Sequence, residues 1–463
     1  MPVLARLAGA AWRPEACRTA ARALSAAAPS SAAGNVPASK STWRGASGTR
    51  HPRLPRGGGG APVHARSTSL ADSSPLHRAL LRAPSADAIL SLFDAQEAEF
   101  DMLTTSSALM RLAKVMKTKP HAVATRVPDA RLDRLVDLAL ANVTKRWGCR
   151  ELSNTVWACA KIGGLAAAQP LLERIAPVAL KKTTSFSAAD LSKMAWGYAM
   201  AGVAAPELFH EFALDAAAQV RGFKANALAA VLWACAVQGE RAETLFALAA
   251  PRLAQSEDKM ATLDPLGLSS VVWAYAKAEH DAPVLFQVIA EAALPKLGAF
   301  SAKELVDVLW AYSTAGVPAV DALALFQAIA AEVPAKIKTF DPQDLTGVAK
   351  AFSMSGIEAP QLYDAVAAEA VHKMKRFTPR QLAVTLRAFA TANAPAPQLF
   401  DAAADFAAPK AAEFTARLLG DVSWAFTTAG VAAPALFDAI AAERVRAGRQ
   451  AIQAEFIEWK PPN

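Results

Sequence analysis

An aromatic or large apolar residue returns every 37 to 40 positions along this chain, at Trp147, Phe186, Phe223, Leu263, Phe300, Phe340, Phe377 and Phe414. Ten residues after each anchor stands Trp157, Trp196, Trp233, Trp273, Trp310, Lys350, Arg387 or Trp424. Self-similarity at this period is the mark of a stacked array, because one short unit cannot bury its apolar face without neighbours.

Each unit spells out two helices of about 14 residues. In Phe186-Ser187-Ala188-Ala189-Asp190-Leu191, Ser187 is a helix N-cap, Asp190 completes a capping box, and Phe186 with Leu191 forms a hydrophobic staple. The same grammar returns at Ser301 with Glu304, Asp341 with Asp344 and Thr378 with Gln381. Eleven residues past the staple leucine lies Gly163, Gly202, Gly239, Glu279, Gly316, Gly356, Asn393 or Gly430, a helix stop of left-handed type. Proline often follows, as at Pro206, Pro283, Pro360 and Pro434, before a second helix with apolar residues at helical spacing. Small residues such as Ala158, Gly197, Ala234 and Ala311 let neighbouring first helices approach closely.

The fold class expected is therefore all-α, an α-solenoid of about eight to nine helix-turn-helix repeats. The array is placed at 79–447, with a degenerate capping unit at 79–140, where Ala108 to Lys114 echoes Thr155 to Lys161. A tail is placed at 448–463.

Ahead of the array the composition changes. Residues 1–71 hold ten lysines and arginines against one acid, Glu15. The first 25 residues combine Arg6, Arg13, Arg18 and Arg22 with alanine, leucine and tryptophan, which is the composition of an organellar transit peptide. Arg22-Ala23-Leu24-Ser25 is similar to a mitochondrial processing site, so the mitochondrial matrix is expected first and a plastid second. Residues 26–78 are rich in Ser, Pro, Gly and Ala and read as a disordered linker. Residues 72–463 carry 39 cations and 40 acids, so a basic average cannot argue for nucleic acid; the location of the charges must.

Catalytic chemistry finds no support in the residues. Cys17, Cys149, Cys159 and Cys235 have no zinc-ligand spacing, and the seven histidines are scattered. Cys159 and Cys235 fall on core positions. Gly57 to Gly60 is not followed by the lysine of a phosphate loop. No cofactor, metal, membrane span or enzymatic activity is expected.

The pattern Leu-xxx-x-Trp-Ala-Tyr/Phe-Ala/Ser-xx-Gly-xxx-Pro-x-Leu-Phe is carried best by Leu305 to Tyr312 and Val422 to Phe426. It resembles the organellar RNA-binding helical repeats: octotricopeptide and heptatricopeptide arrays, the leucine-rich region of FAST-kinase-like proteins, and the RNA-editing substrate-binding complex repeat domain. The resemblance covers about 145–447. It implies binding of single-stranded organellar RNA in RNA processing or in mRNA or rRNA stability, with possible protein partners in a ribonucleoprotein complex. The RAP domain that often follows such arrays is not visible up to Asn463, which removes the main reason to expect an endonuclease.

Two residue sets are candidates for RNA contact. A lysine lies four residues before most anchors, at Lys182, Lys259, Lys296, Lys336, Lys373 and Lys410. One cation per repeat would suit a row of phosphates; the same lysines near a helix C-terminus would also gain roughly 0.3–1 kcal/mol from the helix dipole. Positions two and nine after the staple leucine vary while their surroundings repeat: Asn154/Lys161, Lys193/Met200, Ala230/Val237, Ser270/Lys277, Asp307/Thr314, Gly347/Met354, Val384/Thr391 and Asp421/Thr428. A few changing side chains per repeat are what base reading needs; a solvent face under no packing constraint would vary too. Asn154, Lys161, Lys193, Ser270, Lys277, Asp307, Thr314, Thr391, Asp421 and Thr428 are the polar members. The tryptophan row reads as packing between first helices before it reads as a base-stacking surface. The alternative function is a protein-protein interaction scaffold of an organellar ribonucleoprotein complex.

Overall fold

The structure, a computed structural model, describes residues 74–116, 129–163, 168–255 and 257–458, with side chains left undescribed at 257–259, 319 and 447–458. The transit peptide and nearly all of the expected linker lie outside these residues, as do Cys17 and the Lys259 side chain. The described residues belong to one compact unit, Thr68–Asn463.

Twenty-one α-helices and no strands occur among them, joined by short 3-10 turns. In chain order they pair as α1 Pro75–Arg82 with α2 Ala86–Gln96, α3 Met102–Val115 with α4 Ala130–Asn142, and α5 Cys149–Ile162 with α6 Ala168–Leu180. Next come α7 Ala188–Ala201 with α8 Pro206–Ala218, α9 Ala225–Gln238 with α10 Glu243–Ala254, then the short α11 Glu257–Thr262. The rest are α12 Pro265–Lys277 with α13 Pro283–Ala293, α14 Ala302–Thr314 with α15 Ala319–Lys336, α16 Pro342–Ser355 with α17 Pro360–His372, α18 Pro379–Ala392 with α19 Pro397–Ala407, and α20 Ala416–Ala429 with α21 Pro434–Glu458. The first helix of each pair (helix A) packs on the A helices before and after it, and each second helix (helix B) packs on neighbouring B helices. Two parallel rows result, which is an α-solenoid of helix pairs.

The eight units anchored at Trp147 through Phe414 stand where the sequence puts them. Two pairs precede them where one capping unit was expected. Phe100, buried, followed by the N-cap Asp101, opens the unit that holds the Ala108 to Lys114 echo, with the next anchor 47 residues on; the pair α1 with α2 ahead of it is the additional one. The array also starts at Pro75, inside the stretch read as linker, and its last helix runs past 447 to Glu458. Arg131 bridges Asp87 and Asp129 at 3.0 Å, and Arg134 reaches Asp94 and Glu97, fastening α4 to the first pair.

Local chemistry sets the helix ends. All eight sequence stops have positive φ, including the non-glycines Glu279 at 57° and Asn393 at 52°. After α7, Val203 N–H donates to the Tyr198 carbonyl and Gly202 N–H to Ala199, closing the helix as left-handed caps do. Full capping boxes form at Ser301/Glu304, Asp341/Asp344 and Thr378/Gln381. The box expected at Ser187/Asp190 is only half made. Ser187 accepts from the Asp190 N–H, but the Asp190 carboxylate turns away to accept from the Ser187 and Ser153 hydroxyls. Ser153 belongs to the preceding unit, so an inter-repeat bond has replaced a local one.

Between rows the core is aromatic. From α10 to α19 the phenylalanine or tyrosine early in the B helix meets the aromatic of the next A helix edge to face: Phe246 with Tyr275 and Phe286 with Tyr312 at 4.9 Å, Phe400 with Phe426 at 5.0 Å. Such pairs add about 0.5–1.5 kcal/mol beyond burial. Tyr198, Tyr275 and Tyr312 also donate their buried hydroxyls to the carbonyls of Leu172, Phe246 and Phe286 in the preceding unit. Within the A row the helices touch closely. A Cβ on Gly197 would lie 2.5 Å from Val156 Cγ1 and 3.1 Å from the Val156 backbone, so only glycine fits there.

Candidate nucleic-acid interface

An A helix has neighbours on both sides and a B helix behind, which leaves one outward stripe. In α5 that stripe is Asn154, Trp157 and Lys161, all partly exposed between buried residues. The two variable positions thus flank the tryptophan row, and stacking A helices brings every such stripe onto one face. Most of its tryptophans are partly exposed, and Trp424 is 43% exposed. Neighbouring rungs touch at Trp157–Trp196 (ring centroids 6.3 Å) and Trp273–Trp310 (5.8 Å). Where Arg387 replaces an aromatic, its guanidinium lies 5.3 Å over the Trp424 ring and pairs with Asp421. A long cation on a ring thereby takes the place of a ring on a ring.

The variable side chains are brought together, though not as independent readers. Lys193 Nζ donates to Asn154 Oδ1 at 3.0 Å, joining two adjacent units, and Asp307 pairs with Lys303 at 3.2 Å on its own helix. Asp421 holds Arg387. Lys161, Ser270 and Thr391 are partly exposed, while Lys277, Thr314 and Thr428 are exposed.

The lysine row has another employment than the expected one. Lys182 Nζ donates to the carbonyl of Trp147, Lys296 to those of Ala261 and Leu263, and Lys373 to those of Lys338 and Phe340. Lys336 donates to Leu297, Gly298 and Phe300 and pairs with Glu332 at 3.0 Å. In each case the lysine meets the anchor carbonyl of the preceding unit; Gln219 does the same toward Phe186. An ammonium has three protons, so Lys336 has none left for a phosphate. Lys373, bonded to two carbonyls and to Glu369 at 2.7 Å, is equally committed. Lys410 lies over the Phe406 ring at 3.9 Å. Lys182, Lys296, Lys336 and Lys373 are thus clasps between repeats rather than a free phosphate edge, whereas Lys410 covers a ring of its own unit and the Lys259 side chain lies outside the described residues.

The sequence reading missed another set of cations beside it. The junctions leading from each B helix into the next A helix, from the Trp147 unit onward, carry twelve exposed lysines and arginines and three exposed acids among the described side chains. They include Lys145, Arg146, Arg221, Lys224, Lys303, Lys338, Lys375, Arg376, Arg380 and Arg417. They occupy no single register position, so a search for one lysine per repeat at fixed spacing passes over them. The B helices are the opposite: from α6 to Arg446 they expose nine acids against three arginines, Arg174 and, late in α21, Arg444 and Arg446. A near-neutral array is therefore split into a basic edge beside the tryptophan face and an acidic back.

Among the described residues no group of His, Cys, Asp and Glu could hold a metal, and no helix is long and apolar enough to cross a membrane. Cys159 and Cys235 are buried in the A row, and burial pushes both thiols up to about 12.

A family profile describing the RNA-editing substrate-binding complex 6 protein matches residues 216–457, just over half of the chain. A RAP domain-containing chloroplastic protein of Oryza sativa subsp. japonica is 32% identical over 177 residues, a stretch that covers 36% of this chain and 28% of that relative.

Proposed function

This chain belongs to the RNA-editing substrate-binding complex 6 protein family, and from that premise we propose that it binds single-stranded RNA in an organelle, along the face of its A helices. The observation that carries the reading is charge segregation: the exposed cations collect on the edge next to a row of partly exposed tryptophans. Cations at the junctions suit phosphates, and the rings and variable polar residues beside them suit bases. The protein holds its RNA rather than cutting it, and it acts in processing or stability by covering the strand or presenting it. The arginine-rich first 25 residues support delivery to the mitochondrial matrix; the chloroplastic relative supports a plastid.

One observation favours a protein partner as well. The acidic outer surface of the B helices faces away from the proposed RNA track and suits a basic protein of the same ribonucleoprotein complex. The test of the main reading is crosslinking of the tagged protein to organelle RNA with sequencing, joined to a salt titration in vitro. Enriched transcripts and an affinity that falls with salt support it. A stoichiometric protein partner insensitive to ribonuclease, without enriched RNA, would leave the scaffold role alone.

A further inference from the structure

The outward row of A-helix side chains is uneven. Three pairs of adjacent rungs close on each other: Trp157 with Trp196, Trp273 with Trp310, and Arg387 with Trp424. A base can reach such a pair only from its ends. Two rungs stand apart, Trp233 and Lys350. Trp233 has no ring or cation partner among the described residues, yet it is partly exposed.

Trp233 packs one side on the core, and the residues beside its exposed part are small or apolar. One turn before it on α9 stands Ala230, where the two tryptophan–tryptophan pairs carry Asn154, Lys193, Ser270 and Asp307. One turn after it stands Val237, 38% exposed, which extends the apolar surface. At the other open rung the small residue is Gly347, but Val306 Cγ1 lies 2.5 Å from where its Cβ would be and fills that space. Lys350 therefore offers a cation and no cleft. The junction of the Trp233 unit carries the exposed cations Arg221 and Lys224, on the edge where a strand's phosphates would run.

We infer that Trp233 is a stacking platform for one unpaired RNA base, set between two closed aromatic pairs on the A face. The inference rests on the RNA-binding reading above. An isolated, partly exposed indole gains by covering its face with a base, and any base serves, since each has a π-face. A base in a duplex is already covered on both sides, so the platform takes single strands. Stacking of this kind changes affinity by roughly tenfold or more when the ring is removed.

The test uses the full chain with fluorescein-labelled oligouridylate and an abasic oligoribonucleotide of equal length, read by anisotropy. Trp233→Phe keeps an aromatic face and Trp233→Leu keeps only apolar bulk. The expected result is Phe near wild type and Leu roughly tenfold weaker on oligouridylate, with the two alike on the abasic strand. Equal binding by Phe and Leu on oligouridylate, or a Leu defect that persists in full on the abasic strand, overturns the platform while RNA binding stands. Wild-type chain that binds neither strand overturns both readings. Ultraviolet crosslinking of 4-thiouridine RNA to the unmodified chain needs no variant to fold. An adduct on the tryptic peptide 225–241, which holds Trp233, is expected; adducts confined to other peptides overturn the inference.

Discussion

Lys336 and Lys338 stand two residues apart on the same edge and do opposite things. The Lys336 ammonium is enclosed by three carbonyls of the preceding unit and Glu332, with a fifth of its side chain exposed. Lys338 is exposed, and what it contributes to the array is its backbone carbonyl, which accepts from Lys373. The same contrast runs along the junctions: a half-buried row of clasps and an exposed row of cations. Reach decides the role. A lysine four residues before an anchor can touch the previous anchor carbonyl, and one nearer the anchor meets water.

The contrast can be broken at either row. The largest effect is expected for Lys336→Ala, which strands partly buried carbonyls and the half-buried Glu332 carboxylate. Leaving such groups unsatisfied costs about 1–3 kcal/mol, read as a clear drop in the denaturation midpoint, with RNA affinity of the folded chain kept. A loss below about 0.5 kcal/mol, the ordinary range for surface changes, would deny the clasp.

Removing the exposed row should do the reverse. In the quadruple variant Lys303→Gln, Lys338→Gln, Lys375→Gln and Arg376→Gln, stability should hold within about 0.5 kcal/mol per site. The slope of log affinity against log salt should fall by about 0.7 for each phosphate that is no longer neutralised. An unchanged slope would mean that these cations face no strand.

A smaller change sharpens the comparison from within the core. Tyr275→Phe deletes the hydroxyl that donates to the Phe246 carbonyl at 2.7 Å. A loss of about 1 kcal/mol is expected, measured by urea denaturation, with no effect on RNA. Equal stability would show that the rings alone join the units.

The smallest effect concerns pH. Burial pushes the Asp344 carboxyl up to about 6, above its ordinary value. A raised folded-state value means that the charged form is the disfavoured one. Its contribution is fully present below the ordinary aspartate range and is lost as pH rises through about 6. Asp344→Asn can still accept from the Asp341 N–H that the carboxylate now caps at 3.1 Å. At neutral pH it should match or exceed wild-type stability by up to about 1 kcal/mol, and the dependence between pH 4 and 6 should flatten. Marked destabilisation at pH 7 would show that the negative charge itself is needed at the helix start.

How much of this was legible follows from what repeats. Anchors, caps and stops recur because each unit meets the same neighbour, and even Glu279 takes the positive φ that its place demands. The Phe100 unit shows in the sequence only through the echo in Ala108 to Lys114, because its span of 47 residues breaks the period, and the pair ahead of it, α1 with α2, is not told apart from it. Regularity also misled. The lysine at constant spacing is constant because it packs, whereas the exposed cations wander through the junction. Which tryptophans pair depends on how the rings of neighbouring helices tilt, which no spacing states.

Crosslinking of RNA to the full chain, with the adducts mapped to peptides, separates the A face from the B face most directly. Adducts are expected on A helices and on the junctions that carry Lys224, Lys303, Lys338 and Arg376, with B-helix peptides such as that holding Asp401 and Asp405 unmodified. Adducts concentrated on the acidic B helices, or spread evenly over both rows, would contradict RNA binding along the A face.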